Sequence, residues 1–132
     1  MNSFEEKLSI MAEMIAFARA DDIITDSEYF FLLSVAEQLG IDKDTFESLF
    51  ENEVEKIIPK TQAERILQFH RLVLLMNVDE QHDSEVNKLR NIGLGMGLPP
   101  GAIEQVLSIM HQYPNKIVPP NVLINIFKAH YN

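Results

Sequence analysis

Apolar residues recur at three- and four-residue spacing along almost the whole chain, and no stretch alternates as a half-buried strand does. Phe4, Leu8, Met11, Ile15 and Ala18 form one stripe, which Ile10, Met14 and Phe17 widen; the pattern predicts a first helix buried on more than one side. Asp26 is placed to cap a second helix carrying Phe30, Leu33 and Leu39 inward, and Gly40 is its natural stop. Asp42 or Asp44 caps a third helix with Phe46, Leu49, Phe50 and Val54. After the break at Pro59, Thr61 can cap a fourth that carries Ile66, Phe69, Leu72, Val73 and Met76. Asp83 opens a fifth with Val86, Leu89, Ile92 and Met96, stopped by Gly97. Pro99 and Pro100 suit the start of a sixth, with Ile103, Val106, Leu107 and Met110, running to Tyr113-Pro114. Residues 115–120 read as a linker. Val122, Leu123, Ile126 and Phe127 make a short seventh helix that needs packing, because so short a helix is marginal alone.

The segments 19–50 and 76–107 superimpose without a gap at an offset of 57 residues. Asp22 then pairs with Asp79, Asp26-Ser27-Glu28 with Asp83-Ser84-Glu85, Leu32 with Leu89, Gly40 with Gly97 and Glu47 with Glu104. Val35 matches Ile92, Ile41 matches Leu98, Phe46 matches Ile103 and Phe50 matches Leu107. Each unit reads as a long apolar helix, an acidic turn, a helix, a glycine stop and a further helix, and an internal duplication is the simplest account. The expected fold is all-α: one domain over 1–132, a compact bundle of about seven helices with repeat units at about 3–55 and 61–111 and a C-terminal helix at about 120–131.

At 132 residues and 46% hydrophobic, the chain can bury a core of its own. Its net charge of -9 repels phosphate backbones and anionic headgroups, so neither nucleic acid nor a membrane surface is an expected partner. The longest nearly uninterrupted apolar run, Leu72 to Met76, is too short for a bilayer crossing, and no basic-then-apolar leader opens the chain. The absence of cysteine removes disulfides, thiolate metal sites and cysteine nucleophiles, in keeping with a cytoplasmic location. The charge is uneven: residues 1–60 hold 14 acidic and 5 basic side chains, residues 61–132 six of each. All four histidines lie in the second half. An acidic docking face for a basic protein partner or for cations would produce this, and so would a solvated helix surface kept soluble by carboxylates.

The phrase Ala20-Asp21-Asp22-Ile23-Ile24-Thr25-Asp26-Ser27-Glu28, followed by Leu32 and the break Gly40-Ile41, resembles the TerB-like family. That family's pattern is Ala-Asp-Gly-x-Ile-x-x-x-Glu after a hydrophobic helix, with a Leu-Gly-Leu-like break. Ala20, Asp21, Ile24 and Glu28 fall on it, and Asp22 stands where the family has glycine. The second unit keeps Glu85, the acidic turn around Asp79 and Asp83, and Met96-Gly97-Leu98, with Val78 in place of Asp21. The likeness covers about residues 3–111. It implies an all-helical bundle of duplicated units, an association with tellurite-resistance and stress operons, no catalytic activity, and divalent-cation binding at the acidic turns.

Asp21, Asp22, Asp26 and Glu28 in the first turn, with Asp79, Asp83 and Glu85 in the second, are the candidate ligands for a divalent cation such as calcium, magnesium or zinc. Counted from Asp21 as the first position of an EF-hand loop, Ile23 stands third, Asp26 sixth and Leu32 twelfth, so the turn is not an EF-hand. The competing role is capping, the main role expected of Asp26 and Asp83, with Glu28 inside the first turn where the helix dipole favours a carboxylate. Asp21, Asp22 and Asp79 lie before the caps, at the end of a helix where acids oppose its dipole, and so point to a cation or a basic partner. His82 is read as a solvated turn residue and His70 as a boundary side chain.

Neither Glu-x-x-His nor His-Glu-x-x-His occurs, which disfavours those metalloenzyme classes. The run Asn91 to Gly97 lacks phosphate-loop spacing; Gly93 and Gly95 are read as allowing close helix approach and Gly97 as a helix stop. The preferred reading is a non-enzymatic TerB-like interaction module whose acidic first half docks a basic partner. The alternatives are a hydrolase-like enzyme using paired carboxylates in a cleft between the repeats and a structural subunit, monomer or homodimer, with its last helix docked on a second copy.

Overall fold

The computed structural model describes residues 3–19, 23–78 and 83–131, with the backbone alone at 83 and 84. These residues hold seven α-helices and no strand: α1 (Phe4–Arg19), α2 (Asp26–Gln38), α3 (Lys43–Ser48), α4 (Gln62–Met76), α5 (Asp83–Gly95), α6 (Pro100–Ile109) and α7 (Pro120–Ala129). Two short 3-10 turns, Met110–Gln112 and Pro114–Lys116, join α6 to α7. The all-α expectation holds. The chain divides into two compact units, residues 1–58 and 59–132, so α7 belongs to the second.

In the first unit α1 packs on α2 and α2 on α3. Ile10, Met11, Met14, Ile15, Phe17 and Ala18 of α1 are all buried, as the wide stripe requires, whereas Phe4 is exposed at its start. Phe30 contradicts its inward assignment: it is 64% exposed, and the buried face of α2 is Glu28, Leu32, Val35 and Ala36. The helix is amphipathic on Leu32, and Phe30 lies two residues, about 200°, round from it. The third helix is also shorter than expected, ending at Ser48 with Leu49 as its C-cap. Glu51, Glu53 and Glu55 follow without a basic residue in the last turn. Carboxylates there oppose the helix dipole, and the chain leaves as an irregular strap over 53–58.

In the second unit α4 packs on α5, α5 on α6, and α7 on both α6 and α4. Pro99-Pro100 and Pro119-Pro120 start α6 and α7, each with a proline at the first helical position, where the missing N–H has no partner to lose. The expected linker is more ordered than a tether: Asn115 and Lys116 take positive φ, the Asn77 side-chain amide donates to the Lys116 carbonyl at 3.3 Å, and Val118 is buried.

Helices α2 and α5 start and stop 57 residues apart, and so do their terminators. Gly40 at φ 78° and Gly97 at φ 83° sit in the left-handed region that side chains avoid. Gly40 N donates to Glu37 O and Ile41 N to Ala36 O; Gly97 N donates to Leu94 O and Leu98 N to Gly93 O. This is the same Schellman closure twice. Gly93 is a close-packing glycine, since a Cβ there would lie 2.8 Å from Ile103 Cδ1 and 3.2 Å from Phe69 Cε1. Gly95 corrects its assignment, because a Cβ there would meet nothing within 4 Å.

Candidate functional site

The turn leading into α2 is built on a reciprocal cap. Thr25, not Asp26, is the N-cap: its hydroxyl accepts from the Glu28 N–H at 3.1 Å, and the Glu28 carboxylate accepts from the Thr25 N–H at 2.9 Å. Thr-x-x-Glu satisfies two orphan amides at once, whereas aspartate one place later cannot reach back in that geometry. Asp26 is therefore the first helical residue, exposed, with its charge near the positive end of the dipole. The same arrangement opens α1, where the Ser3 hydroxyl accepts from the Glu6 N–H at 3.2 Å and the Glu6 carboxylate accepts from the Ser3 N–H at 3.1 Å. At α4 Thr61 accepts from the Glu64 N–H at 3.1 Å. Ser-x-x-Glu and Thr-x-x-Glu are readable in the sequence, and the capping box is the signal that assigns Glu6 and Glu28; at α4 the Glu64 carboxylate accepts instead from the Thr61 hydroxyl at 3.0 Å.

Glu28 and its counterpart Glu85 are 8% and 5% exposed. Asp21, Asp22, Asp79 and His82 lie outside the described residues, as does the side chain of Asp83. Among the described residues no three His, Asp or Glu side chains gather closely enough to hold a metal ion. The Thr25→Ala substitution should destabilise the protein by about 1 kcal/mol, read as a lowered denaturation midpoint, because the Glu28 N–H loses its hydroxyl acceptor while the backbone N–H of residue 25 can still donate to the Glu28 carboxylate. An unchanged midpoint would remove the cap from the account.

The first unit's surface carries its acidic excess. Asp26, Glu37, Asp42, Asp44 and Glu47 are exposed, as are Glu51, Glu53 and Glu55 on and before the strap. Asp42 caps α3, accepting from the Thr45 N–H at 2.7 Å, and that hydrogen bond holds its carboxyl below the usual aspartate range. Glu47 accepts from the Tyr29 hydroxyl at 3.2 Å and lies 3.9 Å from Lys43. Its counterpart Glu104 is held instead by the Arg90 guanidinium, so equivalent carboxylates tie the helices of each unit through different donors.

Between α1 and the chain after α3 lies a groove of about 630 Å³. Ala12, Ile15 and Ala16 supply one wall, Leu49, Phe50 and Val54 the other, and Glu51 and Glu53 stand at its edge. The Arg19 guanidinium lies 5.2 Å from the Phe50 ring centroid, a cation–π contact. Ser9, buried on α1, fixes the strap: its hydroxyl accepts from the Ile57 N–H at 2.8 Å and donates to the Ile57 carbonyl at 3.2 Å. Nothing in the helical periodicity signals this groove, because Ala12 and Ala16 read as ordinary helix formers.

The second unit carries the perturbed bases. Burial lowers the His70 pKa below 6.5, helped by neighbouring Arg71, whose own pKa burial also lowers. Neutral His70 is thus favoured in the folded state, and the unfolded chain binds the extra proton. This contribution is full above about pH 6.5 and is lost as pH falls toward the folded pKa. Melting temperatures measured from pH 7.5 to 5 should fall less in His70→Gln than in the native chain; parallel curves would refute the assignment.

No helix among the described residues is long and apolar enough to cross a membrane. The chain matches no protein-family model, no curated protein and no solved structure.

Proposed function

We propose that the protein is a non-enzymatic, TerB-like interaction module whose first unit docks a basic protein partner. The observation that carries this reading is the separation of charge between the two units. Residues 1–58 hold 14 acidic and four basic side chains, and residues 59–132 hold six acidic and seven basic. A solubilising surface would spread its carboxylates over both units. Concentrating them on one raises the local potential, which speeds encounter with a cation-bearing surface and selects against anionic ones. The buried carboxylates Glu6 and Glu28 are engaged at helix N-termini rather than opposed to one another, which supports a binding role over acid–base chemistry. The repeated Schellman stops at Gly40 and Gly97 support the duplicated-unit half of the reading.

The test is zero-length carbodiimide coupling, which joins carboxylates to lysines in contact, applied to the protein with bound partner from lysate and mapped by mass spectrometry. Coupled sites should fall at Glu37, Glu47, Glu51, Glu53 or Glu55 and disappear at high salt. Coupling confined to residues 59–132, or retention indifferent to salt, would contradict the proposal.

A further inference from the structure

In the second unit a helix already sits where the first unit is open. Helix α7 buries Leu123, Ile126 and Phe127 and packs on α6 and α4. The Phe127 ring meets Phe69 edge-on at 5.9 Å, and His130 bonds Gln105 at 3.0 Å. Carried back along the first helix of each unit, the offset of 57 places Ala12 where Phe69 stands and Ala16 where Val73 stands. Phe69 and Val73 are buried, but Ala12 is half-buried and Ala16 exposed. After α3 the chain continues as the strap over 53–58 instead of returning as a helix. The first unit thus has the two walls, small residues in place of large ones, and no helix of its own between them.

We infer that the groove of Ala12, Ile15, Ala16, Leu49, Phe50 and Val54 receives an amphipathic, lysine- or arginine-rich helix from a partner protein, seated as α7 is seated in the second unit. The apolar walls fit an anchor face of residues at three- and four-residue spacing, the helix-in-groove mode. The charge of the seat selects the flanks: Glu51 and Glu53 border it, Glu47 and Glu55 lie close in sequence, and Arg19, the cation among its lining residues, is engaged with Phe50. A helix with basic residues beside its apolar face places cations against these carboxylates. This inference rests on the docking reading and assigns it a seat.

The experiment uses the full chain and three fluorescein-labelled peptides followed by polarisation. One carries leucine and phenylalanine on a single helix face with lysine elsewhere; the second has the same residues ordered so that no apolar face forms; the third replaces lysine by glutamate. The basic amphipathic peptide should bind roughly tenfold more tightly than the reordered one, a difference set by the anchor face alone. Ala16→Trp, at an exposed helical position, should fill the groove and abolish that difference. Glu51→Gln with Glu53→Gln should weaken binding, and Glu104→Gln on the second unit should leave it unchanged. Circular dichroism of each variant confirms its fold.

Equal binding of the two basic peptides would overturn the groove and leave the docking reading standing, because charge alone would suffice. Binding unaffected by Ala16→Trp, or no binding of the basic peptide, would also overturn the groove, and the carbodiimide map would then decide the docking reading separately. Equal binding of the acidic peptide would overturn both.

Discussion

Phe127→Ala is expected to destabilise the protein by about 3–5 kcal/mol, the range for truncating a fully buried phenylalanine. Phe127 is 0% exposed, and its ring closes on Phe69. Helix α7 has ten residues, too few to persist without tertiary contacts. Its other buried anchors, Leu123 and Ile126, lie on the same face and cannot fill the space that the ring leaves. For a chain of this length the loss corresponds to roughly a 10–20 °C fall in melting temperature. Hydrogen exchange should quicken first across residues 120–129, since these lose their contact with α4. A fall within about 2 °C of the native value, with α7 still protected, would show that the helix is held by something other than this ring.

The second large effect is expected at Phe46→Ala, again about 3–5 kcal/mol. Phe46 is wholly buried and lies at the centre of an aromatic group, 5.3 Å from Phe50 in edge-to-face contact and 5.6 Å from Tyr29. Edge-on pairs of this kind add to the burial itself. Helix α3 has six residues, and α2 is its packing partner. Without Phe46 it should lose its seat and carry Leu49 and Phe50 away from the groove wall. This variant should therefore lose peptide binding, whereas Phe127→Ala, read below its lowered melting temperature, should keep it. Both variants losing binding alike would mean that the groove is not the seat.

Much of the architecture was legible because strong local signals agreed with one another. Gly40 and Gly97 stop helices in the sequence and in the structure, and Pro99-Pro100 opens one in both, whereas Pro119-Pro120, inside the expected linker, opens α7 in the same way. The offset of 57 between Asp26-Ser27-Glu28 and Asp83-Ser84-Glu85 reappears in the matching ranges of α2 and α5. Where sequence and structure differ, a stronger local rule overrides a weaker one. Aspartate caps well and Asp26 is the expected cap, but Thr25 with Glu28 three places on satisfies two amides and prevails. The type of Phe30 suggests an inward position, but Leu32, Val35 and Ala36 define the buried face. The apolar character of Phe50 and Val54 suggests a longer α3, but carboxylates follow Ser48 and the helix ends there.

The candidate site was less legible for a different reason. A charge imbalance can be counted along a chain, whereas a groove is a missing volume that follows from what does not pack. Ala12 and Ala16 acquire meaning only when set beside the buried Phe69 and Val73 of α4, with Phe69 closed over by Phe127 of α7. Ser9 likewise reads as an unremarkable polar residue in an apolar helix until its two bonds to Ile57 lay the strap along α1.

The central claim is that the carboxylates of the first unit bind a basic partner. Its most direct test is the dissociation constant of the coupled partner, measured against salt for the native protein and for the chain with Glu47, Glu51, Glu53 and Glu55 all changed to glutamine. The account predicts affinity at low salt that is weaker by roughly tenfold or more in the variant, with a flatter salt dependence. Equal affinities and parallel salt curves would contradict it.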